Sequence, residues 1–320
     1  MAIQDSIQVS IIICTLNHAS SLQETLASLA AAAVPAAMPT ELIVVDNGST
    51  DNTAEIVQQF RPAPLEVRYV SAPKRGQCEA RNAGLLAAQG EIILFTDDDV
   101  RVPPHWIAGM CGPIRRGETD AVTGGVTLAP HIVQPWMTLS HRGMLASTEG
   151  LDPLAPKFMV GANMAFSRRV LEKVPSFDTE LGPGALGFFD ESLFSWQLQA
   201  AGFRLGSALD VCVEHHPDTS RLSRAALLET QRKYGRSLGY IEHHWRHNTI
   251  KAARLRLLLR RARLLLSSLA RRGEVRRLPH PPEWEMGHTL TIALLDQYLK
   301  ERREPRHYAR RGLRKLTGGS

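Results

Sequence analysis

The sequence contains few cysteines and lacks any long apolar run. Only 4 of its 320 residues are cysteine, and no two of them have the spacing of metal ligands. A dense disulfide framework is therefore not expected, and a reducing, cytosolic location fits best. No stretch of 18 residues is apolar and free of charge, so we expect no transmembrane helix. The apolar run Val9–Leu16 is too short to predict a signal helix.

The overall composition is that of a globular protein. Apolar residues make up 43% of the chain and charged residues 22%. These values are ordinary for a protein that buries a core, and the length suits one large domain with an appendage, or two domains.

Charge is distributed unevenly along the chain. Residues 1–220 contain 14 basic and 24 acidic residues, a net charge of −10, whereas residues 221–320 contain 24 and 8, a net charge of +16. This asymmetry predicts an acidic body with a basic tail that meets an anionic partner, for which lipid headgroups and nucleic acid are the two candidates.

The first hundred residues alternate between strand and helix patterns. The pattern predicts strands at Val9–Cys14, Glu41–Val45, Glu66–Val70 and Glu91–Phe95, with helices over 20–33, 52–59 and 79–88 between them. Strands separated by helices of this length predict βαβ units and a parallel sheet.

The later segments are less regular. Their patterns predict a helix over 104–116, a strand over 120–127, a proline-rich loop over 130–157, a strand over 158–166, a short helix over 167–174, a glycine-rich loop over 181–187, a helix over 190–201 and a strand over 211–215. From residue 221 onward the chain is helical and basic.

Three polar clusters fall where predicted strands end: Thr15 to Asn17, Asp46 to Asn47, and Asp97 to Asp99. Ligands of open α/β sheets lie outside the carboxyl ends of the strands. The coincidence predicts a ligand site at this edge.

The run Asp97-Asp98-Asp99 places three carboxylates side by side. Such groups repel one another unless a cation or hydrogen-bond donors compensate. Hard oxygen ligands suit Mg²⁺ or Mn²⁺, which proteins commonly share with substrate phosphates. The alternative is a solvated acidic turn or a helix cap.

Other residues near the strand ends suit a nucleotide. Asp46 could accept hydrogen bonds from a base or ribose, and Thr15 and Asn17 could contact the base. Arg75 and Arg81 carry donors that match phosphate geometry. The alternatives are turn formation for the first three residues, and a solvated loop or helix face for the two arginines.

Six ordered motifs resemble the family 2 glycosyltransferases over roughly residues 7–216. The matching segments are Cys14-Thr15-Leu16-Asn17, Val-Val-Asp46-Asn-Gly-Ser-Thr-Asp51, Ala80-Arg81-Asn82-Ala-Gly84, Gly90-Glu-Ile-Ile-Leu-Phe-Thr-Asp-Asp-Asp99, Gly161-Ala-Asn-Met-Ala-Phe166, and Asp190-Glu191 followed by Ser195-Trp196 and Ala201-Gly-Phe-Arg204.

This resemblance implies a GT-A fold, with a nucleotide-binding half and an acceptor half around one mixed sheet, and inversion at the anomeric carbon. It implies that Asp46, Thr15 and Asn17 contact the nucleoside with Arg81 nearby, that Asp97 and Asp98 lie at the ribose and diphosphate, and that Asp99 is the chief metal ligand, with Asp97 beside it. It also implies that Gly161, Ala162, Asn163 and Trp196 line the sugar and acceptor pocket.

The same resemblance implies a carboxylate base before the tryptophan-containing helix. The family usually has Glu-Asp there, and this chain has Asp190-Glu191. The second position carries over as the base, which makes Glu191 the candidate, although Asp190 could also accept a proton from an acceptor hydroxyl. The alternative is that both residues cap the helix. Relatives often carry a histidine after the last strand, so His215 is the candidate third metal ligand. A structural or solvated role is its alternative.

The basic tail contains an amphipathic pattern over residues 250–272. Its apolar positions share one helical face: Leu255, Leu258, Leu259, Ala262, Leu265, Leu266 and Leu269. Arg256, Arg260, Arg263 and Arg271 lie opposite, and Leu257 and Leu264 interrupt the pattern. Such a helix can lie in an anionic membrane interface. The alternative is a helix packed on the body of the protein with a solvated basic face.

The sequence therefore predicts a catalytic domain over 1–220, with halves at about 7–100 and 101–220, and a basic helical region over 221–320. The expected activity is metal-assisted, inverting transfer of a sugar from a nucleotide donor to a glycan or lipid-linked acceptor. UDP is expected from family frequency, with GDP and dTDP as alternatives, and the metal is Mn²⁺ or Mg²⁺. The expected location is cytoplasmic, peripheral to the membrane.

Two other functions compete with this hypothesis. A nucleotidyltransferase can also hold a metal-bound nucleotide on an α/β sheet, although the Asp190-Glu191 helix argues against it. A catalytically inactive membrane- or nucleic-acid-binding relative is the second. No nucleic acid is expected, because aromatic residues for stacking are not interleaved with the tail's arginines.

Overall fold

The computed structural model describes residues 7–306, which form two compact units. The sheet unit comprises residues 7–179 and 190–217, and the helical unit comprises residues 180–189 and 218–306. The predicted basic region runs on to residue 320, and its part from residue 307 lies outside the described residues.

Eight strands of the sheet unit form one mixed sheet. They are β1 Val9–Thr15, β2 Thr40–Asp46, β3 Glu66–Ser71, β4 Ile92–Asp97, β5 Val100–Arg101, β6 Ala121–Leu128, β7 Asn163–Ser167 and β8 Leu205–His215. Their order across the sheet is β3-β2-β1-β4-β7-β6-β8-β5. The first four in this order are parallel, and β7 runs antiparallel to both of its neighbours. The predicted α/β fold with a mixed sheet is confirmed.

The α-helices of the sheet unit are α1 Ala19–Ala30, α2 Thr53–Gln59, α3 Gln77–Ala87, α4 Trp106–Arg115, α5 Leu139–Gly143 and α6 Asp190–Ala200, of which α1 to α4 lie against the strands. Parallel strands covered on both faces are apolar along their whole length. Ile11, Ile12 and Ile13 of β1 are accordingly all fully buried. This core fixes the strand ends on which the polar clusters lie.

Three expectations for the later segments need correction. The strand predicted over 158–166 begins only at Asn163, because Asn163 N donates to Val160 O at 3.0 Å and closes a tight turn. The final strand begins at Leu205 rather than Val211, since it pairs with β6 through a register shift at Gly124/Gly125. The predicted loop over 130–157 contains α5.

The helical unit contains α7 Arg224–His244, α8 Ala253–Ala270, α9 Arg272–Arg277 and α10 Glu283–Glu301. Gly239 of α7 lets α10 approach closely. A Cβ added there would lie 2.5 Å from Leu294 O and 2.9 Å from Gln297 Cβ. No helix among residues 7–306 is both long and apolar enough to cross a membrane.

We expect Gly239→Ala to destabilise the helical unit by about 1–3 kcal/mol, because α10 must move to admit the methyl group. Gly287→Ala on the exposed face of α10 is the matched control, since a Cβ there meets nothing within 4 Å. It should stabilise by about 0.5–1 kcal/mol through helix propensity. Urea unfolding followed by circular dichroism measures both. Equal shifts would contradict this packing.

Candidate active site

The strand ends bring the predicted clusters to one edge of the sheet. In the register of β1 with its two neighbours, Thr15 lies beside Asp46 and Cys14 lies beside Asp97. Residues separated by more than eighty positions in the sequence thereby become neighbours, as the parallel-sheet prediction requires.

Two asparagines tie together the loops that follow these strands. Asn17, at φ +54°, accepts at Oδ1 a hydrogen bond from Thr50 N at 2.7 Å. Asn47 donates from Nδ2 to Ala72 O at 2.7 Å and to Lys74 O at 2.8 Å. The side chain of Asn17 thus links the first two loops, and that of Asn47 holds the third.

Asp46 is buried and serves as a turn residue. Its Oδ1 accepts from Gly48 N at 3.1 Å and Ser49 N at 2.7 Å, and its Oδ2 accepts from the Tyr69 hydroxyl at 2.7 Å. Burial, with the Asp46 hydrogen bond, raises the pKa of Tyr69 to about 12. Tyr69 is a neighbour that the sequence patterns did not indicate.

Thr15 carries a buried hydroxyl without a hydrogen-bond partner among the described residues. Buried polar atoms nearly always have a hydrogen-bond partner, so a water or ligand atom is expected beside Thr15 Oγ1.

Two further predicted donor-site residues have different surroundings. The Oδ1 atom of Asp98 lies 3.2 Å from His18 Nδ1, whereas the side chain of Arg75, in a loop, is exposed.

Asp97, Asp99 and His215 converge. Each offers one ligand atom, and these atoms all lie within 4.8 Å of one another. Asp99 Oδ1 is 3.2 Å from His215 Nε2. Two carboxylates and an imidazole are a donor set that suits Mn²⁺ or Mg²⁺ better than a thiolate-binding metal.

The imidazole of His215 is held in a fixed orientation. Its Nδ1 lies 2.7 Å from Leu145 O, and a carbonyl can only accept, so Nδ1 carries a proton. Nε2 then either binds a cation as a lone-pair donor or carries a second proton. A lone pair 3.2 Å from an ionised carboxylate is repelled unless a cation lies with them. The residues therefore fit a metal.

The two-residue strand β5 completes this arrangement. Val100 pairs with His215, and His216 N donates to Asp99 O at 2.8 Å. This pairing fastens the end of the Asp97-Asp99 segment to the end of β8. The sequence patterns missed β5, because two residues are too few to show a period.

The carboxyl group of Asp97 has an altered affinity for protons. Burial raises the pKa of Asp97 to about 6 against the opposing charge of Arg81, and the charges of Asp99 and Asp98 add to the rise. A divalent cation would remove this unfavourable accumulation of negative charge.

Arg81 lies between two groups of carboxylates and is almost fully buried. It forms an ion pair with Asp190, and its guanidinium nitrogens lie 3.8 Å from Glu191 Oε2 and 4.0 Å from Asp97 Oδ1. The guanidinium also lies 5.4 Å from the centre of the Phe177 ring. Although burial opposes its charge, these carboxylates raise the pKa of Arg81.

Asp190 and Glu191, at the start of α6, have different environments. Burial opposes ionisation of Asp190, but the Arg81 guanidinium holds the pKa of Asp190 below its ordinary value. Burial and the neighbouring charge of Asp190 raise the pKa of Glu191 well above its ordinary value. The side chain of Glu191 is 23% exposed, against 2% for Asp190. Glu191 is thus the accessible and more basic carboxylate.

The predicted acceptor residues divide into two groups. A Cβ added to Gly161 would collide with Arg81 Nη2 and lie 3.3 Å from Glu191 Oε1, so this glycine lies at the carboxylates. Ala162 is buried beside it, and Trp196 of α6 is half-buried. The Asn163 side chain is instead fully buried and hydrogen-bonds Trp106 Nε1, Gly125 O and Val211 O, all at 2.8 to 2.9 Å.

The sequence model of Glycosyl transferase family 2 matches residues 10–175, about half of the chain. The chain belongs to glycosyltransferase family 2. The matched segment includes the strand ends, the aspartate cluster and Arg81, and family membership favours sugar transfer over nucleotidyl transfer.

Curated relatives match over shorter segments. Succinoglycan biosynthesis protein ExoM of Rhizobium meliloti is 32% identical over 123 residues, 38% of this chain and 40% of the relative. Dodecaprenyl-phosphate galacturonate synthase of Rhizobium johnstonii is 31% identical over 121 residues, 37% of this chain and 36% of the relative. The matches thus span about two fifths of the length of these relatives.

A solved structure shares the fold. Mannosyltransferase PcManGT from Pyrobaculum calidifontis, in complex with GDP-Man and Mn²⁺, aligns with a TM-score of 0.64 at 20% identity, covering 92% of this chain and 88% of that one. The expected GT-A fold is confirmed for this family 2 glycosyltransferase.

We expect Arg81→Met to destabilise the protein by about 3–5 kcal/mol, because it leaves the buried Asp190 carboxylate without its cation. Adding Asp190→Asn should recover part of this loss. Arg169→Met is the control, since Arg169 is 70% exposed and 3.6 Å from Asp120, and its loss should cost at most about 1 kcal/mol. Denaturant unfolding measures all variants. Equal losses for Arg81→Met and Arg169→Met would contradict the role of Arg81.

Proposed function

We propose that this enzyme transfers a sugar from a nucleoside diphosphate to a hydroxyl of a glycan or lipid-linked acceptor, with inversion at the anomeric carbon. The observation that carries the proposal is the convergence of Asp97, Asp99 and His215 on one side of Arg81 and of Glu191 on the other. One side suits a metal-bound diphosphate, and the other suits a proton acceptor.

The donor would lie along the strand ends. Asp97, Asp99 and His215 would hold Mn²⁺ or Mg²⁺, which when bound supplies positive charge that stabilises the departing diphosphate. Thr15 Oγ1, buried without a partner among the described residues, is a hydrogen-bonding group for the nucleoside. Asn17, Asp46, Asp98, Arg75 and Arg81 are the other proposed donor-site residues.

The nucleotide is proposed to be UDP on family frequency, with GDP and dTDP as alternatives. The solved structure of the Pyrobaculum protein contains GDP-Man, which is a donor of the GDP alternative. The dodecaprenyl-phosphate named for one relative supports a lipid-linked acceptor here. Such an acceptor would bring the enzyme to a membrane surface.

Glu191 is the proposed base. It takes the proton of the acceptor hydroxyl while that oxygen bonds to the anomeric carbon, and the bond from this carbon to the diphosphate oxygen breaks. A raised pKa, as found for Glu191, makes a carboxylate a better proton acceptor near neutrality. Asp190, ion-paired with Arg81, would position Glu191 rather than accept the proton.

Gly161, Ala162 and Trp196 are the proposed walls of the sugar and acceptor pocket. The lack of a side chain at Gly161 supports this, because any Cβ there would displace Arg81 or crowd Glu191. Asn163 is proposed to line the pocket with its backbone, which lies next to Thr96 in the sheet. Its side-chain amide is hydrogen-bonded within the core.

We expect one of UDP, GDP and dTDP to bind in calorimetric titrations only when Mn²⁺ is present. Asp99→Ala should weaken this binding by at least about tenfold, because a direct ligand is lost. Asp210→Ala, an exposed aspartate of the sheet unit, is the matched control and should bind like the wild type. Absence of binding for all three nucleotides by the folded protein would favour a catalytically inactive relative.

We expect kcat/KM at saturating metal to fall with decreasing pH, because protonated Glu191 cannot accept a proton. Since its pKa is raised, this loss should begin above the ordinary glutamate value of 4.5. Asp190→Asn should shift the loss to lower pH by removing a neighbouring negative charge. Glu191→Gln should reduce kcat by about 10²–10⁴-fold. If Asp190→Asn does not shift the pH at which kcat/KM is lost, the loss reflects protonation of a group other than Glu191, which contradicts this assignment.

A further inference from the structure

Helix α8 packs on α10 through a narrow seam within the helical unit. Ala253 and Leu257 of α8 are buried against Leu295 and Tyr298 of α10. Leu257 lies at the margin of the predicted apolar face of α8, and Ala253 lies outside that face. The side of α8 that packs on α10 is therefore not the predicted apolar face.

The opposite side of α8 exposes a stripe of leucines, which we call the leucine stripe. Each is between 50% and 64% exposed: Leu255, Leu258, Leu259, Leu265, Leu266 and Leu269. Together with Ala262, which is also exposed, they recur at intervals of three or four residues, which places them on one side of the helix. A contiguous stripe of this kind on a soluble surface marks an interaction site.

Arginines border the leucine stripe on both sides. At about 100° per residue, Arg256 and Arg263 lie along one edge of the stripe rather than opposite it, and Arg254 and Arg261 lie along the other edge. Arg261 pairs with Asp296 at 2.7 Å. The other three are exposed and form no ion pair with any residue in the range 7–306. No aspartate or glutamate occurs between residues 243 and 273.

We propose that α8 is the docking surface for an anionic lipid bilayer. The leucine stripe enters the interface, and the arginine edges contact the anionic headgroups, which is the arrangement of an interfacial helix. Only the link between docking and a lipid-linked acceptor rests on the proposed function. The docking surface itself follows from the exposure and the charge of α8.

Two other partners fit the leucine stripe and its arginine edges less well, namely a second copy of α8 and nucleic acid. In a pair of identical α8 helices packed stripe to stripe, the arginine edges would face one another and repel. Nucleic acid would pair with the arginines but would leave the leucine stripe in water, and the stripe offers no aromatic ring for base stacking. An anionic bilayer satisfies both the apolar stripe and its basic edges.

The test is flotation of the full chain with phosphatidylcholine vesicles, with and without about a third phosphatidylglycerol, at low and high salt. Wild-type protein should bind the anionic vesicles at low salt. The triple variant Leu258→Gln, Leu265→Gln, Leu266→Gln should lose at least tenfold in partitioning. Arg256→Gln with Arg263→Gln should lose about fivefold per arginine and most of the salt dependence.

The matched control replaces three exposed leucines of the sheet unit: Leu86→Gln, Leu139→Gln and Leu154→Gln. It should partition like the wild type. Equal loss in this control, or no binding of the wild type to anionic vesicles, would overturn the proposal. A dimer that the α8 triple variant abolishes, without vesicle binding, would overturn it in favour of a second copy.

Nucleotide binding, measured on every variant by the titration described above, separates this inference from the proposed function. The α8 variants should bind nucleotide like the wild type, because they lie outside the proposed donor site. Vesicle binding without nucleotide binding in the wild type would contradict the proposed activity but not the proposed docking surface.

Discussion

The buried guanidinium of Arg81 lies between Asp97 on one side and Asp190 with Glu191 on the other. Without it, the end of β4 and the start of α6 would present uncompensated carboxylates to each other in a space with little water, which is unfavourable. Arg81 holds the pKa of Asp190 below its ordinary value, whereas burial and the charge of Asp190 raise the pKa of the more exposed Glu191. The two adjacent carboxylates thus differ in proton affinity and in exposure, and this difference supports the proposed roles of Glu191 as base and Asp190 as its positioning partner.

The fold makes this arrangement possible by joining distant segments. Parallel pairing of β1, β2 and β4 brings their carboxyl ends together, and the short β5 pairs with β8 so that Asp99 lies beside His215. The Leu145 carbonyl then fixes the imidazole so that Nε2 faces Asp99. Backbone pairing, rather than side-chain choice alone, therefore sets the geometry of the candidate metal site, and family membership in the glycosyltransferases accords with that geometry.

Much of the sheet could be predicted because its central strands are runs of β-branched residues ending in polar turns, as in Val9–Thr15 and Thr40–Asp46. Contacts over long sequence separations could not be predicted this way. The sequence motif around Arg81 suggested a phosphate ligand, and its partnership with Asp190, 109 residues away, emerges only from the packing of α3 near α6. Similarly, the leucine pattern of α8 indicated an apolar face, but not that Leu257, outside this face, would make the contact with α10. The resemblance implies a pocket role for Asn163, but it does not indicate that the side-chain amide hydrogen-bonds Trp106 and two backbone carbonyls in the core.

Under the proposed function, Asp97, Asp99 and His215 hold the divalent ion that a nucleoside diphosphate shares. Anomalous diffraction from crystals grown with Mn²⁺ and the nucleotide selected by titration tests it most directly. We expect one anomalous peak within bonding distance of these three side chains and of the diphosphate. Clear nucleotide density with the Mn²⁺ peak elsewhere, or with no peak, would contradict it.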